Sequence, residues 1–281
     1  MPVNILYCEG GKNSPDSRIL LNLVSGMGIT IKYARSKYGI DRQILFIMQE
    51  NLLPGSAVAA LKDRDFDDDD SSPENAPRDW SVRDNEQNIR IGWSWERKEI
   101  ENYLIDPDVV SRALGSKAPP VADYHAALEN SAKTIADYTA ARTALSLPRQ
   151  TRLPLKNCWG TQGINSRHLF PELLSISDCC EGIKNNVRLY EQTQIIREDD
   201  VLSSFNKLLL SCRSGGTRFQ YFLTFFSGKD LLYGMRTDIR KFGLGKPCDF
   251  LERIVKGIEN STDNVWMWLS EWERLRQLLK A

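Results

Sequence analysis

Three short apolar runs, residues 3–8, 29–34 and 57–61, are separated by two stretches whose apolar residues recur at helical spacing, and this alternation most constrains the fold. In the first stretch Ile19, Leu20, Leu23 and Val24 share one face, and in the second Ile44, Leu45, Ile47 and Met48 do so. Strands joined by helices of this length form right-handed βαβ units, so the pattern predicts an α/β fold with a Rossmann-like parallel sheet flanked by helices. Ligands of such sheets gather outside the carboxyl ends of the strands.

Those ends carry acids. Glu9 follows the first run, and Asp63 and Asp65 follow the third. Residues two apart on a strand point to one side, so Asp63 and Asp65 are expected to aim at one spot. Two like charges held that close are costly without a positive charge between them, and a hard divalent cation with oxygen ligands suits the gap. A lone D-x-D is ordinarily part of a solvated loop; its convergence with Glu9 gives it weight.

Residues 67–87 are acidic and lack an apolar period, which reads as a flexible surface loop. Residues 89–95 alternate as a fourth strand. A helix follows, with Ile100, Tyr103 and Leu104 facing the core and Glu101 near its start. From residue 106 to about 212 the chain is helical in pattern, with breaks expected at Pro148, Pro154, Gly160, Gly163 and Pro171. Residues 221–226 read as a further strand running into Ser227, Gly228 and Lys229, a small-residue turn whose free N–H groups and lysine suit a phosphate. Trp268, Trp272, Leu275 and Leu279 form one helical stripe, either core or a partner surface. The expected organisation is a core over residues 1–105, a helical insertion over 106–215 and completion of the core over 216–281.

Acidic and basic residues balance at 37 each, so the chain as a whole shows no bias toward a polyanionic partner. Locally, ten basic residues face four acids between Lys207 and Lys256. The amino-terminal residues lack the pattern of a signal peptide and no run reaches the roughly 18 apolar residues of a membrane span, so a cytoplasmic location without membrane contact is expected. The six cysteines form no C-x-x-C pair and the two histidines, His125 and His168, stand apart from paired cysteines, which argues against a zinc finger. The cysteines are expected to be reduced and mostly buried.

Four segments in order, Cys8-Glu9-Gly10-Gly11, Lys62-Asp63-Arg64-Asp65-Phe66, Arg97-Lys98-Glu99-Ile100-Glu101-Asn102-Tyr103-Leu104 and Ser227-Gly228-Lys229-Asp230-Leu231-Leu232, resemble the motifs of the Toprim-domain DUF4435 family of OLD-like nucleases. That family includes the Toprim effector of the PARIS anti-phage defence system. The resemblance covers roughly residues 3–104 and 221–240. It implies a Toprim fold and a Mg²⁺- or Mn²⁺-dependent nuclease acting on RNA, tRNA or DNA. It further implies an effector or toxin role beside an ABC-type ATPase encoded nearby.

Carried over by residue, the resemblance makes Glu9 a metal ligand or general base, Asp63, Asp65 and Glu101 metal ligands, and Lys229 a catalytic, phosphate-contacting lysine. The chain departs from the pattern after Glu9, where the next acid is delayed to Asp16, and this puts a metal role for Asp16 in doubt. No G-x-x-x-x-G-K-[ST] is present, so an ATPase would be a separate chain. Phosphodiester hydrolysis needs an activated water, a neutralised phosphate and a stabilised leaving oxygen, all of which carboxylate-held magnesium supplies. The competing reading is an interaction subunit, silent until assembled with an ATPase through Trp268 and Trp272. A homodimer through the same helix is a further alternative.

Overall fold

The computed structural model describes residues 2–34, 39–50, 52–84, 87–150 and 175–281. Cys158, His168 and the breaks expected at Pro154, Gly160, Gly163 and Pro171 lie outside the described residues. Strands β1 (Ile5–Cys8), β2 (Thr30–Tyr33) and β3 (Val58–Lys62) alternate with helices α1 (Pro15–Leu23) and α2 (Ile40–Gln49). A hairpin of β4 (Arg78–Asp84) and β5 (Gln87–Ser94) follows.

The remaining helices are α3 (Ile100–Leu104), α4 (Pro107–Leu114), α5 (Val121–Gln150), α6 (Ile176–Gln194), α7 (Glu198–Cys212), α8 (Thr217–Gln220), α9 (Phe222–Phe225), α10 (Gly228–Gly234), α11 (Arg236–Lys241), α12 (Pro247–Glu259) and α13 (Ser270–Lys280). Among the described residues no helix is long and apolar enough to cross a membrane.

The sheet runs β2-β1-β3-β5-β4, with β4 the single antiparallel member, at one edge. This is the α/β, Rossmann-like architecture that the alternation predicts. After β1 the chain steps to one side to form β2 and returns to the other side to form β3, so the topological switch point lies between β1 and β3. Their register pairs Cys8 with Leu61. Gly92 allows the next contact: a Cβ there would lie 1.9 Å from the Ala60 carbonyl oxygen, so only glycine lets β5 lie against β3.

Period-two alternation divides the sheet's side chains between two layers. Tyr7, Val58, Ala60 and Ile91 pack with Ile40, Ile44 and Ile47 of α2. Leu6, Cys8, Ala59, Leu61 and Trp93 face the opposite side, where their cluster runs on without a break through α1, α3, α5, α10 and α12 to Leu279. The helical middle shares this core through Ala132, Ala136, Ala140 and Ala144, one per turn of α5 and all buried. The last helix closes back on the first strand, where Val3 donates its N–H to the Leu279 carbonyl at 2.9 Å. Trp268 and Trp272 are 5% and 0% exposed, so the tryptophan stripe is core.

Five expectations are corrected. Residues 221–226 form helical turns rather than a strand. Their backbone groups find partners outside the sheet: Lys98 N–H reaches the Thr224 carbonyl at 3.1 Å, and the Asn102 amide reaches Leu223 and Phe226. Part of the acidic stretch expected to be loop is β4, whose Trp80 and Val82 alternate with polar residues as on a half-buried edge strand.

The run 67–70 is ion-paired rather than merely solvated. Asp67 and Asp69 hold the buried Arg64 at 3.0 and 3.3 Å, and Asp70 pairs with the buried Arg218. Helix α5 also passes through Pro148 to Gln150 without the expected break. Of the five described cysteines only Cys8 and Cys212 are buried; Cys180 and Cys248 are exposed.

Candidate functional site

Glu9 and Asp63 are the first residues beyond β1 and β3, the two strands that flank the switch point. Because β3 ends at Lys62, Asp63 and Asp65 lie in the following loop, where the strand's two-residue period no longer applies. Ser14 caps α1 and accepts the Ser17 N–H, which sets Asp16 in that helix's first turn. On the far side Glu99 caps α3, and Glu101 sits buried in its first turn.

Helix α10 brings Lys229 to these acids. Its ammonium lies 3.0 Å from Glu99 Oε2 and 3.3 Å from Glu101 Oε2. The Lys229 backbone N–H and the Ser227 hydroxyl both donate to Glu99 Oε1, at 2.9 and 2.8 Å. The Gly228 N–H donates to Asn102 Oδ1 at 3.0 Å. The turn amides expected to be free for a phosphate are thus already satisfied by Glu99 and Asn102. What the turn offers a ligand is the Lys229 side chain, which is 61% exposed.

The charges respond to one another. Burial, reinforced by Asp16, Glu9 and Glu99, pushes the Asp63 carboxyl up to about 8, and Lys229 only partly opposes this. Burial also raises Asp16, with a contribution from Glu99. Glu101 is raised by burial against the counter-pull of Lys229. Burial works the same way on Glu99, yet the Lys229 charge and its hydrogen bonds outweigh it and the carboxyl is held low. Lys229 is raised correspondingly, since Glu99 and Glu101 overcome its own desolvation. Beside the cluster, burial, Asp16 and Glu9 push the Cys8 thiol up to about 12, which makes it unreactive as a nucleophile.

Of the residues singled out in the sequence, Glu9, Asp63, Glu101 and Lys229 fall in or beside this electrostatic cluster. Asp65 lines a small cavity with Lys98, Arg218 and Thr224. Sequence reasoning missed Glu99 and set Asp16 outside the pattern. The available signal for Glu99 was its place three residues before Asn102, the spacing of a reciprocal cap. For Asp16 it was position in the first turn of a helix that starts near the end of β1.

Of the ten basic residues between Lys207 and Lys256, several serve internal pairs. Arg213 binds Asp137, Arg218 binds Asp70, Lys241 binds Asp238 and Lys256 binds Glu252. Only Asp137 and Asp70 come from outside the segment, so these pairs lower its local excess of positive charge by two.

All-oxygen donors in a crowded, partly desolvated cluster match a hard divalent cation in chemistry. Among the described residues no three His, Cys, Asp or Glu side chains stand close enough to form a ready-made metal cage. Magnesium does not require one, because it keeps several waters and is commonly bound through one or two carboxylates together with substrate phosphates. Glu9 and Asp63 fit that mode; burial, then the neighbouring acids, raises Asp63, and such an ion would offset the part due to those acids. No family profile matches the chain, and no curated protein matches it.

Proposed function

We propose that the chain is a metal-dependent phosphodiesterase of the Toprim class, with its site at the carboxyl edge of the sheet. More specifically, it is a Mg²⁺- or Mn²⁺-dependent nuclease of the DUF4435/OLD-like type that cleaves RNA, tRNA or DNA as a defence effector under control of an ABC-type ATPase. One observation carries the reading: acids from both sides of the topological switch point act on one another, and a lysine from a distant helix stands among them.

Glu9 and Asp63 would hold the ion, with Asp16 and Glu101 close enough to share in its charge balance. Bound there, it supplies an activated water and neutralises phosphate. The chain's own residues do the rest. Lys229 presents a fixed positive charge toward a phosphate arriving over the sheet edge, and Glu99 and Glu101 hold its ammonium in place. Asp63 carries a proton near neutral pH while no cation is bound, and ion binding would expel it.

The interaction-subunit alternative loses its proposed surface, because Trp268 and Trp272 are in the core. The test is cleavage of DNA and RNA with Mg²⁺ or Mn²⁺, with and without an ABC-type ATPase partner, comparing wild type with Glu9→Ala and Asp63→Ala. Both substitutions are expected to abolish cleavage; activity unchanged in both refutes the site.

A further inference from the structure

We propose that Asn102 is a positioning residue, whose carboxamide locks the α9–α10 turn onto α3 and so seats Lys229 against Glu99 and Glu101. This deepens the nuclease reading above and rests on it for its functional meaning. The geometry stands independently.

Asn102 is fully buried, and its side chain uses both ends. The Nδ2 group donates to the Leu223 carbonyl at 2.9 Å and to the Phe226 carbonyl at 2.8 Å. The Oδ1 atom accepts from Gly228 N–H at 3.0 Å and from Glu99 N–H at 3.2 Å. One carboxamide therefore satisfies four backbone groups, none of them in the sheet. Three of them belong to the turn that carries Lys229, and the fourth belongs to the residue that Lys229 grips.

The backbones approach equally closely at this point. A Cβ on Gly228 would lie 2.5 Å from the Asn102 nitrogen and 2.7 Å from the Glu101 carbonyl carbon, so α10 begins in direct backbone contact with α3. Lys229 is the next residue. Its ammonium reaches both carboxylates because the two backbones touch, and Asn102 is the side chain that holds them so. Leucine or alanine at position 102 would leave buried donors and acceptors unpaired and give the turn no reason to stay docked.

Acylation of Lys229 by a water-soluble amine-reactive ester reads this seating without any nuclease assay. The rate is followed by peptide mass spectrometry on the full-length chain, with the exposed Lys280 as internal reference. In wild type Lys229 should react more slowly than Lys280. In Asn102→Ala, with a cooperative unfolding transition retained, it should speed up by about tenfold, the change that one pK unit makes. Gly228→Ala, which forces the two helices apart with Asn102 intact, should do the same.

A Lys229 rate unchanged in either folded variant overturns the proposal. Should neither variant fold, hydrogen exchange in the wild-type chain decides. Gly228 and Lys229 amides as protected as the Ile105 amide support the lock, and amides that exchange freely overturn it. If cleavage is absent in wild type but acylation behaves as expected, the nuclease reading falls and the positioning role stands. The converse result removes the positioning role alone.

Discussion

Glu99 accepts both the backbone N–H and the ammonium of Lys229, at 2.9 and 3.0 Å, so a single carboxylate fixes that lysine at two points. The contact joins residues 130 positions apart in sequence. It makes the acidic edge of the sheet and the carboxyl-terminal helices one electrostatic unit.

Replacing Lys229 by Gln should lower cleavage by about 10²-fold or more and also destabilise the chain. The charge it would place against a developing phosphate is large in effect. Its loss also leaves the largely buried Glu99 and Glu101 carboxylates without their cation. Single-turnover rates and a urea melt on the same preparation separate the two effects.

Asp63 should make the chain less stable as pH rises. Its folded value of about 8 lies above the roughly 3.9 of an unfolded aspartate, so between those values the folded state holds a proton that the unfolded state has released. The stability cost is absent below about pH 4 and complete above about pH 8. Asp63→Asn should remove this slope and stabilise the chain at pH 8 by on the order of 2 kcal/mol. Urea denaturation across that range in the presence of a chelator checks the sign. Adding Mg²⁺ should narrow the gap between wild type and variant.

Tyr103 of α3 ties the last helix to the segment that follows β5. Its hydroxyl donates to Glu271 at 2.5 Å and accepts the Arg97 N–H at 3.1 Å, and both Tyr103 and Glu271 are buried. Tyr103→Phe should destabilise by about 1–3 kcal/mol, because two partners lose a buried hydrogen bond. Thermal unfolding should show a lower midpoint with an unchanged far-ultraviolet spectrum.

Trp272 is fully buried, so Trp272→Ala should cost about 3–5 kcal/mol in denaturant unfolding. A partner-contact tryptophan would leave the isolated chain's stability nearly unchanged.

Much of the sheet was legible because each strand is a local apolar run and each early helix a local stripe. Glu9 and Asp63 follow from those runs, since a residue just past a parallel strand lands at the carboxyl edge. Residues 221–226 misled for the opposite reason. Tyr221, Phe222, Phe225 and Phe226 favour a strand locally, yet the segment bonds within its own helical turns, and Asn102 and Lys98 take up the Leu223, Phe226 and Thr224 carbonyls. The acidic run misled in the same way, because the arginines that neutralise Asp67, Asp69 and Asp70 include Arg218, about 150 residues away.

Patterning alone therefore determined the α/β class, the parallel sheet and the positions of Glu9 and Asp63 at strand ends, because hydrophobic period and chain connectivity are local properties. Only the tertiary structure decided that Asp16 and Glu99 join the cluster, that Asp65 lines a small cavity with Lys98 and Arg218, and that Lys229 is held by two carboxylates. Charge and hydrogen-bond partners act through space, and the packing of α3 against α10 that brings them together leaves no period in the sequence.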